Sequence, residues 1–136
     1  MVSILQVTDF SFPIPVQVAA GHRTWHLSPL AVWQAQAARD LYEPEGFAVE
    51  RFIHCTDDLE ELISVGNRYY ISDARPFVAL EIVCDLVDSL VVYEDSGQQF
   101  PHIHGRLPTS AVSRVLSVIR RSDGRFVAIG EDVSPA

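Results

Sequence analysis

The segment FPHIHG, Phe100 to Gly105, sets two histidines at i and i+2 between a proline and a glycine. In an extended chain His102 and His104 project from one face. Two imidazoles on one face suit metal ligation, acid–base chemistry or the lining of a pocket. A catalytic zinc takes three protein ligands, usually His with His, Glu or Asp. The chain can supply His102 and His104 with either His26 or Glu94. No third ligand stands at a diagnostic spacing, and neither HExxH nor a pair of CxxC motifs occurs.

Two further histidines occupy parallel settings. His26 ends the short strand TWHL, which runs into Ser28-Pro29, and His54 ends RFIHCT, which runs into Thr56-Asp57. Strand ends that feed helix N-termini expose backbone N–H groups and the positive end of the helix dipole, which favour anions. Each histidine alone reads more readily as a core or rim residue bonded to backbone. His26, His54 and His102 converging on one cleft make a site.

Glu94 closes the strand LVVYE ahead of a turn into FPHIHG. A hairpin there brings it beside His102, where a carboxylate fixes the imidazole tautomer or steadies positive charge at a glycosidic carbon. Asn67, Arg68, Tyr69 and Tyr70 bring amide, guanidinium and phenol groups to a helix end, where they can grip phosphate or stack on a base. Cys55 follows His54 and faces the opposite side of the strand, so the two cannot form a nucleophile pair. Cys55 and Cys84 read as buried thiols, and Trp25 and Trp33 as packing residues.

The elements that carry these groups follow from local signals. Ser28 and Pro29 look like an N-cap and first helical residue, with Leu30, Trp33, Ala37 and Leu41 along one face of a helix that ends before Pro44. A second helix starts at Thr56 or Asp57, with Glu60 completing a capping box. It carries Leu59, Leu62, Ile63, Gly66 and Tyr70 on one face. Strands follow: FVALEIVC, an apolar run but for Glu81, as in a strand covered on both faces, then LVVYE, HIHGRL, VLSVIRR, a turn at Asp123-Gly124, and RFVAI. Two strand-to-helix units before a run of strands predict an α+β fold. Residues 1–22, with FPIP at Phe12 to Pro15, read as an arm or edge strand; 23–130 form one domain and 131–136 a tail.

Composition narrows the function classes. The 136 residues are 48% hydrophobic and 21% charged, enough for one globular domain. The formal charge is −8, and the chain has no lysine, which excludes Schiff-base and P-loop lysine chemistry. Arginines cluster between Arg106 and Arg125, so a small phosphorylated ligand fits better than long nucleic acid. No apolar run reaches membrane length, no signal peptide is evident, and two cysteines make no disulfide framework. The expected compartment is therefore the cytoplasm.

The series running from His26 to Trp33, through FIHCT (Phe52 to Thr56), NRY (Asn67 to Tyr69) and an isolated Glu94, to FPHIHGRL (Phe100 to Leu107) resembles a small bacterial domain-of-unknown-function family, number nine-five-two. The resemblance covers roughly Thr24 to Ile129. It implies an ADP-ribosyltransferase-like fold, a split mixed or antiparallel sheet with two main helices, whose relatives bind NAD in a cleft. It also implies that His26 contacts a ribose. On that basis NAD is the expected cofactor, with cleavage or transfer at the nicotinamide–ribose bond as the chemistry. Glu94, His54 and His102 are then the candidate catalytic residues, and Arg68, Asn67, Tyr69 and His104 join His26 in binding. A non-catalytic metabolite-binding protein is the alternative, and a metal-dependent hydrolase using His102 and His104 a third reading. Two positions depart from the family's pattern: Arg51 stands where glycine is usual, and His104 where tyrosine is usual. The second departure argues against a metal site common to the family.

Overall fold

The computed structural model describes residues 15–135. Most of the expected arm, including all of FPIP but Pro15, lies outside the described residues. Its last part pairs as β1 (Val16–Gln17). The chain continues as β2 (Arg23–Pro29), α1 (Leu30–Gln34), β3 (Leu41–Tyr42), α2 (Phe47–Glu50), β4 (Ile53–His54) and α3 (Leu59–Tyr69). Then come β5 (Phe77–Val83), β6 (Val91–Tyr93), β7 (Pro101–Ile103), β8 (Leu107–Pro108), β9 (Val112–Arg120) and β10 (Phe126–Asp132). The fold is α+β and its strand pairings are antiparallel. One sheet runs β10-β9-β5-β2, a second β1-β6-β7-β4, and β3 pairs with β8. Backbone bonds between Trp25 and Thr56, 2.9 and 2.8 Å, tie the two larger sheets together.

β5 is apolar except for Glu81, which Ser113 and Arg114 satisfy, because both faces are covered. Val78, Leu80 and Ile82 enter one core with Tyr42, Ile53 and Ile103, while Phe77 and Ala79 enter another beneath α3 with Leu62 and Phe126. β2 alternates differently. Trp25 and Leu27 pack beneath α3, whereas Thr24, His26 and Ser28 are buried on the other face. A buried polar face needs partners, and that requirement locates the site.

The first helix departs from its sequence pattern. Only Leu30–Gln34 is helical, and no side chain caps it. The Ser28 hydroxyl, the expected cap, lies instead between the Pro29 carbonyl and Tyr42. The Gln36 amide bonds to both backbone groups of Glu43 and turns the chain. Tyr42 can then enter the core, fully buried and edge-on to Trp33 at 5.7 Å. Packing an aromatic ring outweighs propagating a short helix, so the expected stripe stops before Leu41. Of the two expected main helices, only α3 is more than about a turn long. Its cap is Asp58, which accepts from the Glu61 N–H, one residue later than the predicted box.

Gly124, in the predicted turn, has φ 97°, and a Cβ there would meet the Ile71 carbonyl oxygen at 2.2 Å. The last strand runs to Asp132, into the span expected as a tail, and the Val133 N–H still donates to the Val115 carbonyl.

Candidate functional site

The polar face of β2 supplies the first group. His26 Nδ1 lies 2.7 Å from the His54 carbonyl oxygen, and Nε2 lies 3.0 Å from the Tyr42 hydroxyl, itself 3.0 Å from Ser28 Oγ. Burial pushes the His26 pKa down to about 4, so the ring is neutral at pH 7. A carbonyl only accepts, so the ring proton sits on Nδ1 and Nε2 accepts from Tyr42. Burial also raises the Tyr42 phenol well above its usual range and keeps that proton in place.

His26 and Tyr42 border a hollow of about 230 Å³ that also meets Glu50, His54, Tyr70 and Arg75. Arg75 is already clamped, 2.9 Å from Glu45 and 2.7 Å from Asp73. A second hollow of about 210 Å³ adjoins it, sharing His54, Thr56 and Val65 and adding Arg68, Tyr69 and Phe100. Arg68 lies 5.8 Å from the Tyr69 ring centre, and Tyr69 is 65% exposed.

Beyond His54 the hydrogen-bond register of β4 and β7 sets His102 opposite it. The two rings meet edge-on at 5.2 Å, and Phe52 stacks on His102 at 4.3 Å. Glu94 leaves the end of β6, the neighbour of β7. Its Oε1 accepts from His102 Nδ1 and His104 Nε2, each at 2.9 Å. These bonds, that to His102 foremost, hold the Glu94 carboxyl below the usual range. His54 itself pairs with Glu50 at 3.1 Å.

The predicted residues therefore divide. His54, His102, His104 and Glu94 form one string of touching groups, while His26 reaches it only through the His54 backbone. The three histidines do not converge on a single cleft, because His102 stands outside the hollow that His26 borders. Arg68 and Tyr69 border the second hollow. Asn67 is turned away: its Nδ2 donates to the Phe126 carbonyl and its Oδ1 accepts from the Phe126 N–H, fastening α3 to β10. Cys55 is buried with its thiol pushed well up by desolvation, and Cys84 is raised to about 11 by the same cause. Both are inert at neutral pH.

Two groups escape the sequence pattern. Tyr42 lies in what reads as helix, with no local signal of its role. His22, Asp57 and Tyr93 form a cluster in which His22 Nε2 is 2.9 Å from Asp57 and the Tyr93 hydroxyl donates to Asp57 at 2.5 Å. The Asp57-Asp58 doublet was its one trace, since a helix needs only one cap.

A family model described as protein of unknown function (DUF952) matches residues 27–115, more than half of the sequence. The chain belongs to this family. The matched span contains His54, Asn67 to Tyr69, Glu94, His102 and His104, and begins one residue after His26. The fold is similar to the crystal structure of protein CC0527 from Caulobacter crescentus, with TM-score 0.65 and 21% identity over 77% of this chain and 93% of that one. A double mutant of the same protein matches with TM-score 0.64, at the same identity and coverage. No curated protein matches the chain. Among the described residues, no helix is long and apolar enough to cross a membrane.

Proposed function

We propose that this protein binds a nucleotide of the NAD or ADP-ribose class in the paired hollows that meet at His54. The observation that carries the reading is the neutral His26–Tyr42 pair beside one hollow, next to the Arg68–Tyr69 pair in the other. Uncharged hydroxyl-bonding groups suit a ribose, a guanidinium suits pyrophosphate, and flat rings suit a base. Two antiparallel four-stranded sheets joined at Trp25 and Thr56 support kinship with the ADP-ribosyltransferase-like fold. The charge of −8 favours a small ligand over long nucleic acid.

In its enzymatic form the site cleaves or transfers at the nicotinamide–ribose bond. His26 holds a ribose hydroxyl through the Tyr42 oxygen it is bonded to, Glu94 steadies the oxocarbenium charge, and His54 and His102 orient the ligand or move a proton, with His104 at the rim. One observation favours a second reading, a metabolite-binding protein without turnover: Glu94 borders neither hollow and its Oε1 is already shared by two imidazoles.

An NMR titration with NAD and with ADP-ribose tests the proposal. Saturable shifts at His26 and His54 are expected. Tyr69→Ala, which removes one base-stacking surface worth about 1–3 kcal/mol, should weaken binding about 5- to 150-fold without changing the unfolding midpoint. No shift at millimolar ligand refutes it. Glu94→Ala separates the two forms, because an enzyme loses rate with little change in affinity and a binder has no rate to lose.

A further inference from the structure

We propose that Glu94, His102 and His104 form a site for one divalent transition-metal ion of the zinc class. One ligand atom from each lies within 4.8 Å of the others, on a face where Glu94 and His104 are exposed and His102 is half-buried. Two imidazoles and a carboxylate make the ligand set of catalytic zinc centres, which keep further positions open for water or substrate. The proposal does not rest on nucleotide binding at the hollows.

The surroundings aim the ligands. Alternation along β7 and its continuation puts His102 and His104 on one face. Phe52 stacks on His102, with 19° between the ring planes, and so fixes the ring that presents Nδ1. The His104 N–H donates to the Leu90 carbonyl at 2.9 Å and pins the backbone just beyond the strand. Gly105 then lets the chain pass Ser89, whose Oγ would lie 1.9 Å from an added Cβ. Without metal, one carboxylate oxygen accepts from two ring N–H groups at 2.9 Å each. Ligand atoms around a tetrahedral zinc stand about 3.3 Å apart, so loading opens these contacts by a few tenths of an ångström. On loading, each imidazole presents this nitrogen's lone pair to the metal and carries its proton on the other ring nitrogen, so both N–H bonds to Glu94 are given up.

The test is calorimetric titration of the chelator-treated full chain with zinc chloride, without nucleotide, followed by imidazole NMR. One equivalent should bind at about neutral pH, moving the His102 and His104 ring signals and sparing those of His22 and His26. Glu94→Gln and His104→Tyr should each weaken binding at least about tenfold, since even loss of an outer-sphere partner costs that much. Both side chains are exposed, so the fold survives the changes, and thermal unfolding without metal checks this. Absence of saturable binding overturns the proposal, and so does equal affinity in either variant. Zinc that moves the His22 or His26 signals instead overturns it too.

Discussion

His26 makes the protein's stability depend on pH in a window of its own. Its ring titrates at 6.5 in an unfolded chain and at about 4 in the fold, with burial as the main cause. Between those values the unfolded chain binds a proton that the native chain refuses. The contribution of His26 is therefore fully present above pH 6.5, is lost as pH falls toward 4, and is flat below. A fall from 6.5 to about 4 corresponds to about 3 kcal/mol, of which about 2 kcal/mol is lost between pH 7 and pH 5. Carboxylates act lower. Glu81, held down to about 2 chiefly by Arg114, loses its share below its ordinary 4.5. Urea unfolding from pH 7 to pH 5 should thus show a slope that His26→Asn removes. Asparagine keeps a donor for the His54 carbonyl but cannot titrate. An offset in stability at every pH leaves this comparison intact. The same slope in both chains, or a His26 ring that titrates near 6.5 by NMR, would refute the reasoning.

Two further outcomes follow from the backbone. Arg51 closes α2 in the left-handed region, at φ 68° and ψ 14°, where a side chain costs about 1–2 kcal/mol and glycine nothing. Arg51→Gly should raise stability by about 0.5–1 kcal/mol in urea unfolding, after glycine's greater freedom in the unfolded chain is offset. Asn67→Ala strands both backbone groups of Phe126 at a half-buried position. It should cost about 2 kcal/mol and leave ADP-ribose affinity unchanged by calorimetry.

The metal site and the proposed turnover draw on one residue, Glu94. A metal on Glu94 neutralises the charge that would steady a sugar cation, whereas His54, which pairs with Glu50, stays free to serve the hollows. Zinc should therefore leave nucleotide affinity in place while abolishing any turnover that uses Glu94. The two activities can be measured independently on the same preparation.

The sequence by itself determined what short-range periodicity can carry. The apolar run of β5, interrupted at Glu81, the stripe of α3, the Asp123-Gly124 hairpin and the common face of His102 and His104 all follow from residues close together in the chain. Tertiary structure decided the partners. Tyr42 meets His26 across 16 residues, Tyr93 meets Asp57 across 36, and His102 lies outside the hollow that His26 and His54 share. No local window holds those pairs together. Burying Tyr42 cut short a helix whose own signals were adequate, because a short helix adds little stability and a buried ring adds much. Glu94 could be placed near His102 from the hairpin alone. That the same oxygen also reaches His104 depends on how the chain bends past Gly105 against Ser89, and only the packed fold fixes that.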